Sequence, residues 1–258
     1  MNPRVRLGER ADLPVVLVTG AAGAIGGATV DAFLAAGYRV VGLDREASVR
    51  DRRGASYRGY QVDLEDEAAV EMAMEAASPF GHLAHVIGIA GGALPIEPPT
   101  QHDPAMLSTS EFRASLDANL TTQYVMLRTA LTWLRASRVG DRSVTFTSSF
   151  NALAGWGMPA YSAAKAGLIG LMHALTPVLG AEGIRANIVA PGTVRTPRTE
   201  RIWAGDPEHF PRLESTSALG RIATPEDVAR SFVAVTTLLT HVTGQVIVVD
   251  GGQMVKRP

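Results

Sequence analysis

The sequence predicts an α/β chain: one doubly wound domain in which seven strands form a parallel sheet covered by helices on both faces. Three observations carry this expectation. Short β-branched runs alternate with longer helical stretches along the whole length. The first of those runs leads directly into a glycine-rich turn. The 258 residues, 46% hydrophobic and only 19% charged, suffice for one large buried core. No repeat, low-complexity tract or linker divides the chain, so residues 1–258 are read as a single domain.

The elements follow in order. Residues 1–12 are a polar leader without the apolar region of a signal peptide. Val15-Val16-Leu17-Val18 is a continuous aliphatic run suited to a strand buried on both faces. A helix is expected from Ile25 to Ala36, stopped by Gly37. Tyr38 to Leu43 and Tyr57 to Val62 read as the second and third strands. A Glu-rich helix from Glu65 to Ala77 then leads to a fourth strand, His85 to Ile89. A long amphipathic helix from about Glu111 to Ser137 precedes the fifth strand, Ser143 to Thr147. The helix carrying Tyr161 runs to about Ala181, and Ile184 to Val189 and Gln245 to Val249 complete the set. Residues 196–219, with prolines, Trp203, Phe210 and mixed charges, form the least regular stretch and are read as a substrate lid.

Composition excludes several functions. Lys plus Arg number 24 against 25 Asp plus Glu, a net charge of −1, so no field recruits nucleic acid or an anionic membrane. With no cysteine there is no disulfide, iron–sulfur cluster or thiol nucleophile, and a reducing cytoplasm is the expected location. No apolar run reaches the roughly 18 residues of a membrane helix. The six histidines lack metal-ligand spacing, so no metal is expected. His173, between Met172 and Ala174, is read as a packing residue.

Chemistry concentrates in Pro159-Ala160-Tyr161-Ser162-Ala163-Ala164-Lys165. On a helix, positions i and i+4 share a face, which sets the Tyr161 phenol beside the Lys165 ammonium. A phenol with an ordinary pKa near 10 is a poor base at neutral pH, but a neighbouring cation favours its phenolate. Tyr161 is therefore a candidate acid/base for carbonyl–alcohol chemistry. A second signal is the turn Thr19-Gly20-Ala21-Ala22-Gly23-Ala24-Ile25-Gly26 between the first strand and first helix. Glycines there let the backbone approach a pyrophosphate at a helix N-terminus. Asp44, at the end of the second strand, is placed to meet the adenosine ribose hydroxyls and to repel a 2′-phosphate. NAD is thus favoured over NADP, with adjacent Arg45 keeping the NADP alternative open.

Together these motifs resemble the short-chain dehydrogenase/reductase family, from about Leu13 to Gln253. Tyr161 and Lys165 match its catalytic Tyr-x-x-x-Lys, and Ser148-Ser149 resembles the catalytic serine position. Counting from the strand selects Ser149 and counting back from Tyr161 selects Ser148; Ser149 is taken, because a loop absorbs a deletion more easily than a strand register. Asn119 falls at the fourth catalytic position. Asp63-Leu64 resembles the pair beside the adenine, and Asn187 to Thr196 the segment around the nicotinamide. Gly220-Arg221, Thr224 to Ala229, and Thr243 to Gly252 are similar to the C-terminal signature. Two departures stand out: Ala24 replaces a glycine of the turn while Gly23 is added, and Gly88-Ile89-Ala90-Gly91 replaces Asn-Asn-Ala-Gly, which puts local stability in doubt.

The resemblance implies a Rossmann-type fold and an oxidoreductase interconverting a secondary alcohol and a ketone with NAD. The alternatives are an NADPH-dependent ketone or 3-oxoacyl reductase and a non-catalytic nucleotide-binding scaffold. Its implied catalytic set is Asn119, Ser149, Tyr161 and Lys165, with Asn119 positioning a water that links Lys165 to solvent. Its implied cofactor contacts are Gly20, Gly23, Ala24, Ile25 and Gly26 in the turn, then Asp44, Asp63 and Leu64 near the adenosine. Ala90, Gly91, Tyr161 and Lys165 follow, with Pro191, Gly192, Val194 and Thr196 around the nicotinamide. Trp156 and Met158 are candidates for the substrate pocket, with Leu94, Trp203 and Phe210 behind them. A homotetramer is implied, with a dimer as the alternative.

Overall fold

The computed structural model describes residues 13–52, 54–95, 103–155 and 157–255. The 1–12 leader, His102 and Trp156 lie outside the described residues. Seven strands form one sheet: β1 Pro14–Thr19, β2 Arg39–Asp44, β3 Tyr57–Gln61, β4 His82–Gly88, β5 Arg142–Thr147, β6 Ile184–Pro191 and β7 Val246–Val249. Their order is β3-β2-β1-β4-β5-β6-β7 and every pairing is parallel. The helices are α1 Ala24–Ala35, α2 Glu67–Ala77, α3 Thr109–Leu116, α4 Thr122–Ala136, α5 Asn151–Ala154, α6 Pro159–Ala181, α7 Pro197–Ile202, α8 His209–Thr216 and α9 Pro225–Val233. This is the doubly wound fold that the sequence predicts. The chain reverses direction across the sheet between β1 and β4, and such a switch point opens a crevice at the carboxyl ends of the strands.

The aliphatic run of β1 serves both faces. Val15 and Leu17 enter one core with Val41, Met74 and Leu168, while Val16 and Val18 enter the other with Phe33, Ile87 and Phe232. A strand sandwiched between two helix layers needs apolar side chains at every position, which is why no polar alternation marks it. At the amino end of the sheet, buried His85 on β4 bonds through Nδ1 to Ser143 Oγ on β5 at 2.9 Å.

Several boundaries differ from the sequence reading for local reasons. Asp66 caps α2 by accepting from Ala69 N at 3.0 Å, so the helix starts at Glu67 rather than Glu65. β4 starts earlier, at His82. The long helix expected from Glu111 opens two residues earlier, at Thr109, behind a Ser108–Glu111 capping box and is divided by a wide π turn, Asp117–Thr121. Residues 196–219 are less irregular than expected, since they contain α7 and α8. The stretch Pro225–Val233, read only as a family signature, is the helix α9, opened by a Thr224–Asp227 capping box.

Two expectations are corrected. The 23-residue α6 is long and apolar enough, by length and composition, to cross a membrane. Ala160, Ala164, Leu168, Met172 and Leu179 are buried on one side of it, although only 28% of its most apolar stretch is buried within the chain. His173 is exposed rather than packed, because the neighbouring Met172 takes the inward position of that turn.

Candidate active site

The glycine turn is shaped by close backbone approaches. Gly20 has φ +68°, and a Cβ there would lie 2.9 Å from Ala90 N. A Cβ on Gly26 would lie 1.9 Å from Gly20 O, so no side chain fits the first turn of α1. Gly23 is the N-cap residue and offers no side chain to the helix N-terminus, whose first N–H groups therefore face outward. Ala24, the departure from the family pattern, is exposed, so its methyl occupies open space. Uncapped N–H groups at the positive end of a helix suit a pyrophosphate, and a dinucleotide fits this cradle.

Asp44 ends β2 beside that turn. Its Oδ2 accepts from Ala22 N at 2.9 Å and its Oδ1 from Glu46 N at 3.0 Å, which fixes the carboxylate at the cleft edge. Val62 N donates to Asp44 O at 2.8 Å, so Asp63 and Leu64 follow at the same edge. Leu64 turns its side chain into the core, leaving its backbone to meet a cofactor, whereas Asp63 is exposed and accepts from Glu65 N at 3.0 Å.

The loop after β4 is held from three sides. Thr19 Oγ1 accepts from Ile89 N at 3.0 Å and Ala90 N at 3.2 Å. Asn119, wholly buried in the π turn, accepts from Gly92 N through Oδ1 at 2.7 Å. It donates through Nδ2 to Gly92 O and Ser115 O at 3.2 and 3.1 Å. The Asn119 amide is thus committed to backbone, and it positions the Ala90–Gly92 loop with its side chain. Gln123 on α4 donates to Ala90 O at 2.5 Å and fills the space over Gly88. That explains the missing asparagine: a Cβ on residue 88 would lie 2.0 Å from Gln123 Oε1, so an α4 side chain braces this loop instead.

Tyr161 and Lys165 share one face of α6, with the ammonium 5.6 Å from the phenol ring centroid. Lys165 is buried and Nζ donates to Thr147 O at 2.9 Å, leaving further donors. Burial pushes its pKa down to about 7. The two serines differ in commitment. Ser148 Oγ donates to Lys165 O at 2.8 Å, deep in the β5–α6 contact. Ser149 Oγ lies 3.3 Å from Asn151 Oδ1 and accepts from Asn151 N at 3.2 Å.

These groups line one cavity of about 540 Å³. Ser148, Ser149, Tyr161 and Lys165 all line it, together with Ile25 from the turn's helix, Gly91, and Pro191, Gly192, Val194 and Thr196 at and after the end of β6. Thr196 Oγ1 is engaged as the N-cap of α7, accepting from Thr199 N at 3.1 Å. Met158 lines the cavity in a left-handed conformation, φ +48°, which a residue with a Cβ adopts at a cost of about 1–2 kcal/mol. Trp203 also lines it; Leu94 and Phe210 do not.

The sequence reading missed His209, which stacks on Trp203 with ring centroids 3.8 Å apart and faces the cavity. It also missed Arg198, Ile202 and Leu213 as lining residues. Their signal is the amphipathic spacing within α7 and α8, hidden by the surrounding charges. Among the described residues no group of three His, Cys, Asp or Glu side chains is arranged to hold a metal ion.

Comparison with known proteins agrees with this fold. A family model described as enoyl-(acyl carrier protein) reductase matches residues 20–254. L-fucose dehydrogenase of Mus musculus is 32% identical over 92% of this chain and 87% of its own length. D-threitol dehydrogenase of Mycolicibacterium smegmatis is 29% identical over 96% and 95%. A crystal structure of an oxidoreductase of the short-chain dehydrogenase/reductase family from Burkholderia thailandensis superposes with a TM-score of 0.83. It is 37% identical, and the match covers 93% of this chain and 92% of that one.

Proposed function

The chain belongs to the short-chain dehydrogenase/reductase family, and on that premise we propose that it interconverts a secondary alcohol and a ketone with NAD(H) as cofactor. The observation that carries the reading is the common cavity wall of Ser149, Tyr161 and Lys165, reached from the glycine turn through Gly91 and Ile25. The bound nicotinamide supplies the hydride acceptor or donor. Tyr161 takes the substrate hydroxyl proton in the oxidative direction and returns it in the reductive one. Lys165 favours the phenolate by its charge, and a phenolate beside it in turn favours the ammonium over the neutral amine. Ser149 donates to the substrate oxygen, where charge develops. Asn119 holds the Gly92 backbone, next to which the nicotinamide cofactor would bind.

Asp44 supports NAD over NADP. Its carboxylate is fixed by two backbone N–H groups and has no cation among its hydrogen-bond partners in the described residues, so a 2′-phosphate there would meet its negative charge, with Arg45 the adjacent cation. The dehydrogenase names of the mouse and mycobacterial relatives support alcohol oxidation. Absence of cysteine fits a cytoplasmic location. Exposed Phe112, Tyr124 and Val178 on α3, α4 and α6 fit burial against further copies in a homotetramer or dimer.

The test is a titration with NADH and NADPH, read by tryptophan and nicotinamide fluorescence, followed by turnover of Tyr161→Phe. NADH is expected to bind at least about tenfold tighter, roughly 1.4 kcal/mol, and Asp44→Ala to narrow that gap. Tyr161→Phe is expected to keep NADH affinity and lose about 10²–10⁴-fold in kcat. Binding of neither nucleotide, or a Phe variant retaining more than about a tenth of the rate, rejects the reading.

A further inference from the structure

The mixed charges of residues 196–219 separate sharply once folded. Arg212 pairs with Asp206, and Arg195 lies 3.0 Å from Glu214 and 3.9 Å from Glu200. None of these groups lines the cavity, and neither do Arg201 and Glu208. Arg198 alone among the arginines of the segment does. No carboxylate among the described residues lies within ion-pair distance of it. Among the described residues the cavity wall contains no Asp or Glu at all, while it contains Lys165, Arg198 and His209.

Arg198 is also held in place rather than left to wander. Nη2 donates to Ala93 O at 2.5 Å, which links α7 to the loop after β4. Its guanidinium rests over Gly92, where a Cβ would come 2.7 Å from Nη1. A carbonyl positions a guanidinium without neutralising it, and most of its five N–H donors stay available. The nearby walls are apolar, from Met158, Ile202, Trp203 and Leu213. Arg198 is solvent-exposed, so water screens its charge until an entering ligand displaces that water from beside the apolar lining. A planar guanidinium also matches a carboxylate in a two-point contact.

We infer that the substrate is an anionic secondary alcohol or ketone, a hydroxy or oxo carboxylate, whose carboxylate is bound by Arg198 while its carbon chain lies against the apolar wall. This rests on the oxidoreductase reading above and names the substrate class of the same site. Arg198 is a specificity-determining residue in this account and takes no part in proton movement.

Binding in a protein whose turnover is strongly suppressed tests the inference apart from catalysis. Tyr161→Phe protein saturated with NADH is titrated with 4-oxopentanoate, 5-oxohexanoate and 6-oxoheptanoate, each beside its carboxamide, with nicotinamide fluorescence as the readout. At least one acid is expected to bind tenfold or more tightly than its amide. Adding Arg198→Met is expected to reduce that preference below twofold while NADH affinity stays within twofold, and Arg198→Lys to retain part of it. No preference for any acid, or a preference that survives Arg198→Met, overturns the inference. So does Arg198→Met weakening NADH itself, since Arg198 then belongs to the cofactor site. An Arg198-dependent acid preference upholds Arg198 as the carboxylate-binding residue; loss of NADH binding, or a Tyr161→Phe variant that keeps its rate, overturns the oxidoreductase reading separately.

Discussion

The hydroxyl of Ser148 donates to the backbone carbonyl of Lys165 at 2.8 Å, which ties the end of β5 to the middle of α6. Both adjacent serines line the cavity, but Ser148 is committed to that backbone bond, whereas Ser149 is engaged among the described residues only with neighbouring Asn151. Ser149→Ala is expected to lower kcat/KM by about 10²–10³ with an unchanged melting temperature, as for loss of a donor to a developing oxyanion. Ser148→Ala is expected to cost about 1 kcal/mol of stability with a much smaller kinetic effect. Parallel thermal melts and turnover assays of the two variants decide it, and the opposite pattern would assign the catalytic role to Ser148.

Lys165 carries a stability cost whose pH dependence can be read. Burial lowers its pKa from 10.5 to about 7. Between those values the unfolded chain holds a proton that the folded chain has released, so stability rises with pH across that window. Below pH 7 the cost of the buried ammonium is present in full. Lys165→Met is expected to raise the urea midpoint most below pH 7, with the gain shrinking toward pH 10.5, while turnover is lost. A gain independent of pH would contradict the assigned cause.

His85 has the opposite character, a buried base kept neutral. Burial, the largest cause, pushes its pKa down to about 4 from 6.5; the Asp141 carboxylate opposes this and the Arg185 guanidinium adds to it. Above pH 6.5 neither state is charged and the His85 contribution is complete. As pH falls from 6.5 to 4 only the unfolded chain takes up the proton, so stability declines across that interval. His85→Leu is expected to be less stable at pH 8, having lost the bond to Ser143, yet to show a shallower fall in urea midpoint between pH 6.5 and 4. Equal slopes for both proteins would remove His85 as the source.

Local signals made most of the fold legible. The β1 run, the glycine turn and the Tyr161–Lys165 spacing each depend on residues close in sequence, and the sheet, cofactor cradle and shared helix face follow from them. What stayed hidden depends on distant partners. Only the folded chain shows that Arg195 and Arg212 spend their charge on acids while Arg198 reaches Ala93 O, 105 residues away. His209 carries no motif, and its place in the cavity comes from stacking on Trp203. The π turn at Asn119 likewise has no propensity signature, because a single extra residue per turn is decided by packing.

Gly88 and Gln123 supply the sharpest case of such a distant dependence. The sequence shows only a missing asparagine, yet the glycine is what admits the Gln123 side chain, whose Nε2 braces Ala90 O. Gln123 Oε1 is buried without a hydrogen-bond partner and faces the position that a Cβ on residue 88 would take, 2.0 Å away. Met126 Cε, at 3.2 Å from the same point, blocks retreat on another side. Gly88→Ala must therefore displace the glutamine, and is expected to cost about 1–3 kcal/mol, the usual penalty for overpacking. In a Gln123→Ala background the added methyl meets only Met126 Cε, at 3.2 Å, the end of a flexible side chain, so the cost is expected to fall, helped by about 0.4–1 kcal/mol of unfolded-chain entropy. Denaturant unfolding of the four proteins in a double-mutant cycle should give a coupling of at least about 1 kcal/mol. Additive effects would mean that residue 88 tolerates a side chain without reference to Gln123, and the bracing of the cofactor loop from α4 would need another explanation.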